Sequence, residues 1–117
     1  MPTNILTSCR NEIIANIDEW RRCVEGGEFV KLFGYAGEAD WETSPKGFGL
    51  SSLKTCPSGF PKDYEHIRYL RMKDYCVWHH VDDDFFKQSD WASRAAKLLN
   101  VAKPMMDFTN SVIDDYE

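Results

Sequence analysis

Two histidines and three aspartates crowd into one short stretch, His79-His80-Val81-Asp82-Asp83-Asp84, and Cys76 lies just upstream. Imidazole and carboxylate groups bind metals and transfer protons, and a thiol adds a soft ligand or a nucleophile. His79, His80, Asp82 and Cys76 are therefore the weak catalytic candidates, for a metal-dependent or acid–base enzyme or for a small-ligand binder. Their spacing works against a single site. On an extended chain His79 and His80 point to opposite faces, His80 beside Cys76 and Trp78, His79 beside Tyr75, Val77 and Val81. Sharing one metal would require a bulge between them. The plainer reading has one half-buried histidine satisfied by hydrogen bonding, one exposed histidine, and aspartates favouring a helix start. No ligand set follows a metal motif, so no metal and no cofactor is assigned.

A second stretch, Pro57-Ser58-Gly59-Phe60-Pro61-Lys62, leads into an expected helix. Free N–H groups at a helix start, with Gly59 permitting close approach and Lys62 nearby, make Gly59 and Lys62 weak anion-binding candidates. From Lys54 to Lys73 five basic residues face two acidic ones, a local surplus in the right direction. Asp63 opposes it by capping the same helix start, and the Gly-Lys-Ser/Thr ending of a phosphate loop is absent. A proline-fixed turn with Phe60 packed inward explains the stretch equally well. No Gly-x-Ser-x-Gly, His-Glu-x-x-His or Gly-x-Gly-x-x-Gly pattern occurs, so no nucleophile is nominated.

The whole chain narrows the classes further. Its 117 residues suit one domain spanning 1–117, and 43% hydrophobic with 28% charged residues predicts a packed core. Nineteen acidic against 14 basic residues give a net charge of −5, which disfavours nucleic acid and anionic membranes as partners. No apolar run approaches the roughly 18 residues of a membrane span, and the first residues do not resemble an export signal. A cytoplasmic location is expected. Cys9, Cys23, Cys56 and Cys76 are scattered without a Cys-x-x-Cys pair, which reads as buried, reduced thiols.

The elements that would position these groups follow from periodicity. Leu6, Cys9, Ile13, Ile17, Trp20 and Val24 recur in steps of three and four, predicting an amphipathic helix over Thr3–Val24 that ends at Gly26-Gly27. A short helix over Glu28–Phe33 follows. Residues 35–62 are rich in glycine and proline and read as a loop segment, with possible extended stretches near Trp41 and over Phe48–Lys54. Asp63 is expected to cap a helix over Tyr64–Met72, and Tyr75–Val81 is the best strand. Asp82 would cap one turn over Asp83–Lys87, and Ser89 a long helix toward Tyr116. That helix carries Trp91, Ala95, Leu98, Ala102, Met105, Thr109 and Val112 as a stripe, widened by Leu99, Met106 and Ile113 and expected to be core rather than a partner-binding groove, with part of the face exposed if half a fold is absent. Pro104 falls inside it and predicts a kink.

The run Leu53–Val81, with its Leu-Lys, Pro-x-Gly-Phe, paired helix and Lys-Asp-Tyr before a strand, resembles the later part of the mainly bacterial family called domain of unknown function 2461. The Phe29–Gly34 ending and the Lys103-Pro104 and Asp107-Phe108-Thr109-Asn110 segments are similar too. Family members usually have about twice this length, so the chain looks like their C-terminal half, without the strand-rich first half. The family implies an architecture; it brings no established activity, cofactor or catalytic residue to carry over.

These readings converge on an α+β, mainly helical fold, with an N-terminal helix and a long kinked C-terminal helix packed on a small sheet containing Tyr75–Val81. A lone strand leaves two rows of main-chain groups unpaired, at roughly 1–3 kcal/mol for each buried group. It needs neighbours, from Phe48–Lys54, from the Trp41 region, from a second copy, or from a partner chain supplying strands. The expected function is a non-catalytic structural or protein-interaction module that self-associates, as a homo-oligomer, or completes a larger fold.

Overall fold

The computed structural model describes residues 2–114. Tyr116, the expected end of the last helix, lies outside the described residues. Helix α1 spans Thr3–Ala15 and α2 spans Ile17–Val24, where the sequence predicts one helix. Asn16 separates them because its backbone leaves the helical region (φ −128°, ψ 46°), and its side-chain amide turns back to donate to Glu12 Oε1 at 2.6 Å. Local side-chain bonding of this kind competes with helix continuation at asparagine. The apolar phase survives the break, and Leu6, Cys9, Ile13, Trp20 and Val24 all enter the core. Helix α3, Gly27–Phe33, closes on Gly34 at φ 79°, and adds Phe29 and Phe33.

The loop segment yields one strand, β1 (Lys46–Phe48), paired antiparallel with β2 (Val77–His79) in register Lys46↔His79, Gly47↔Trp78 and Phe48↔Val77. Gly47 lies under the Trp78 indole, where any Cβ would collide with the ring. Strand β2 is shorter than Tyr75–Val81 because its partner is short. Past Phe48, Gly49 turns the chain at φ 91°, and Pro45 bounds the other end. Ladder bonds nonetheless reach one residue beyond, with His80 N–H donating to Pro45 O and Gly49 N–H to Cys76 O. The stretch near Trp41 is turns rather than strand, and Trp41 and Leu50 are exposed.

Helix α4 covers only Ile67–Arg71 and starts at His66 without a side-chain cap, so Asp63 does not cap it. Tight turns intervene, with Tyr64 N–H on Pro61 O and Ile67 N–H on Tyr64 O. The one-turn helix α5 (Asp83–Lys87) does begin at Asp82, whose carboxylate accepts from Phe85 N–H at 3.1 Å. Helix α6 runs through Trp91–Asp114 as one element with Pro104 inside it. Its start lies two residues beyond Ser89, where Arg94 N–H donates to Asp90 O. Ser89 is thus a turn residue and does not cap α6.

The core forms where α1, α2, α3 and the second half of α6 converge on the sheet. Trp20 is its centre, fully buried and in ring contact with Phe48, Tyr69, Tyr75 and Phe108. Buried Arg10 donates to Met72 O, and Tyr75 Oη donates to Tyr69 O. All four cysteines are free, but only Cys9 is buried, and Cys76 is exposed. Phe60 is half-buried and outside the core cluster. Among the described residues no helix is long and apolar enough to cross a membrane.

Candidate functional site

The candidate residues disperse around β2. His79 faces inward, half-buried, with Nδ1 2.8 Å from the Leu32 carbonyl at the end of α3. Because a carbonyl oxygen only accepts, Nδ1 carries the hydrogen of this bond. His80 faces the other way, exposed, its ring 5.7 Å from that of Trp41. Asp82 is occupied as the cap of α5. The thiol of Cys76 is pushed above its ordinary pKa by partial burial and by the Asp74 carboxylate, which keeps it protonated and poorly nucleophilic near neutrality. Among the described residues no three His, Cys, Asp or Glu side chains gather closely enough to hold a metal ion.

Gly59 adopts φ 87° and is exposed, as is Lys62. The turn between them folds its carbonyls inward, with the Cys56 thiol 3.3 Å from Phe60 O and 3.6 Å from Pro61 O. Helix α4 starts five residues after Lys62, so its first N–H groups are not placed beside Gly59 by the local chain.

A concave feature lies beside the tail-helix stripe. A groove of about 760 Å³ runs between β2 and α6, with Val77 and His79 on one side and Leu98, Leu99, Met105 and Met106 on the other. Its strand side is a free sheet edge. The ladder bonds at His80 and Cys76 fix the alternation along β2, so the N–H and C=O groups of Val77 and His79 point away from β1. Among the described residues nothing pairs with them. The opposite edge of the sheet is partly covered instead, where Gly37 N–H donates to Phe48 O and Ala36 bridges to Phe48. The polar strand edge and the apolar helix face thus line one opening.

The helix side corrects the expected core stripe. Only Ala102, Met105, Phe108, Thr109 and Val112 of α6 are buried. Trp91 is 43% exposed, Leu99 66% and Met106 43%, and Phe86 of α5 is 55% exposed beside Trp91. The reason is length. Twenty-four helical residues extend about 36 Å, and the packed body is 25–30 Å across its shorter axes. The first half of α6 overshoots the core. A stripe whose phase persists for 24 residues in a small domain carries that signal in sequence.

No curated protein and no solved structure matches the chain. A family match does exist, covering residues 1–108 and ending within the buried half of α6. The chain belongs to the family of conserved hypothetical proteins DUF2461.

Proposed function

We propose that this chain is a non-catalytic protein-interaction module whose working surface is the open face between β2 and α6, used to self-associate or to complete a larger fold. The observation that carries this reading is the coincidence of unpaired main-chain groups on β2 with an uncovered apolar helix face. Unpaired strand edges are templates for another chain, and soluble proteins normally cover or blunt them. Contiguous apolar surface of this kind marks interaction sites. The acid–base alternative draws less support, since His79 and His80 face opposite sides of β2 and Asp82 is engaged as a cap. Free thiols suit a reducing compartment, the cytoplasm.

The test is protection of the edge. Amide hydrogen exchange at Val77 and His79 should slow when the module is engaged, either by raising its own concentration or by adding its partner protein. The exposed substitution Leu99→Glu should abolish that slowing without altering the far-ultraviolet circular dichroism. Exchange that stays fast under every condition, and is indifferent to Leu99→Glu, would sink the reading.

A further inference from the structure

We propose that a proton on His79 closes the open face between β2 and α6, so that apolar matter enters while the imidazole is neutral and is expelled when it is charged. This deepens the interaction-module reading by naming its regulation, and it rests on that reading. Of the side chains lining the groove, only His79 is of a type that changes charge between about pH 5 and 8. The other titratable groups there are held in one state. The Asp74 carboxylate accepts from the amides of Leu50, Ser51 and Cys76, while burial pushes the Cys76 thiol and the Tyr75 hydroxyl up.

The place of the ring gives its charge a consequence. It is half-buried at the groove wall and anchored by Nδ1, 2.8 Å from Leu32 O. That carbonyl accepts from Nδ1–H in the neutral and in the charged ring, so the proton that comes and goes is the one on Nε2. An apolar occupant strips water from the anchored ring, and desolvation penalises the charged form alone.

The surrounding charges do not offset that penalty. On β1, Lys46 stands directly opposite His79, and its ammonium donates to Lys31 O at 2.6 Å, which adds repulsion. The carbonyl end of α3 attracts a cation, but it does so whether the groove is open or covered. Glu28 of α3 pairs with Lys97 of α6 at 3.5 Å, Lys103 with Asp107 at 2.6 Å, and Asp84 of α5 with Lys87 at 3.5 Å. Asp82 is the cap of α5, His80 faces the other side of β2, and Lys31 and Asp83 are exposed, where salt screens them. Covering the face therefore releases a proton in acid, and the apparent affinity falls toward about tenfold for each pH unit below the transition.

Nile red, a neutral dye that fluoresces in apolar surroundings, serves as the probe. Titrated with the dilute wild-type chain, it should bind about tenfold more weakly at about pH 5.5 than at about pH 7.5, with unchanged far-ultraviolet circular dichroism. Leu99→Glu should remove the binding at both values, which locates it. His79→Asn keeps an amide donor for Leu32 O and cannot titrate, so its binding, whatever its strength, should no longer change between the two. In proton NMR, saturating dye should move the titration of the His79 ring to lower pH.

Equal wild-type binding at both pH values, abolished by Leu99→Glu, would overturn the switch and leave the face standing as an interaction surface. A pH dependence that persists in His79→Asn would overturn it by assigning the proton to another group. Binding that is absent, or indifferent to Leu99→Glu, would overturn it as well, and amide exchange at Val77 and His79 would then judge the interaction reading separately.

Discussion

The two halves of α6 share one apolar phase and have opposite surroundings. From Ala102 to Val112 the stripe is buried against α1, α2 and α3, and Phe108 rests 5.0 Å from the Trp20 ring. From Trp91 to Leu99 the same periodicity is exposed or half-buried, with α5 beside it and only an ion pair from Lys97 to Glu28 reaching α3, and no residue of α5 is buried. The difference teaches that a helical stripe reports the capacity to bury a face, not the partner that buries it. In the second half this chain provides that partner. In the first half it provides an open groove beside an unpaired strand edge.

The strongest way to break that contrast is to remove one tryptophan from each region. Trp20 is fully buried among four aromatic rings, so Trp20→Ala should cost about 3–5 kcal/mol and shift the urea midpoint accordingly. Trp91→Ala, from a site 43% exposed, should cost under about 1 kcal/mol in the same measurement at low protein concentration. Comparable losses would mean that the arm is as integral to the fold as the core.

A smaller effect sharpens the boundary of the core through pH. Burial alone would raise the Glu25 carboxyl, but hydrogen bonds from Tyr69 and Arg21 outweigh it and hold the group below the ordinary glutamate range. Tyr69 Oη donates to it at 2.5 Å and Arg21 Nε at 3.1 Å. The folded state therefore favours the charged form more than the unfolded chain does. The contribution is complete above the unfolded value of about 4.3 and is lost as the pH falls through the lower folded value. We expect a loss of about 1 kcal/mol across that range, with Glu25→Gln flattening its share of the profile. An unchanged acid limb in urea titrations of Glu25→Gln would show that this pair does not tie α2 to α4.

How much of this was legible in the sequence depends on whether neighbours or distant segments decide each feature. The turn Asp82–Lys87 and the α3 ending at Gly34 are written locally, and both form as the residues imply. The mainly helical α+β class is equally visible, because the stripes of α1, α2 and α6 keep their phase. The break at Asn16, the late start of α4 and the shortness of β2 are not visible, since side-chain bonding, proline turns and the length of β1 set them. The candidate chemistry around His79 and His80 was readable only as alternation along a strand. A groove on the α6 face was readable only as the less favoured alternative to core, and its place beside β2 was not readable, because that depends on where α6 crosses the sheet edge. The long stripe showed only that something must cover Leu99.

The smallest expected effect separates fold from assembly. Leu99 is 66% exposed in the lone chain, so Leu99→Ala should leave its stability within about 0.5 kcal/mol of wild type when the protein is dilute. Dilution matters because a dimer stabilises the folded state by mass action, and the gain grows with protein concentration. The wild-type urea midpoint should therefore climb as the concentration is raised, whereas that of Leu99→Ala should climb less. A wild-type midpoint that is flat with concentration would place the exposed half of α6 outside any self-contact. A large loss for Leu99→Ala in dilute solution would instead require a contact within the chain that 66% exposure does not provide.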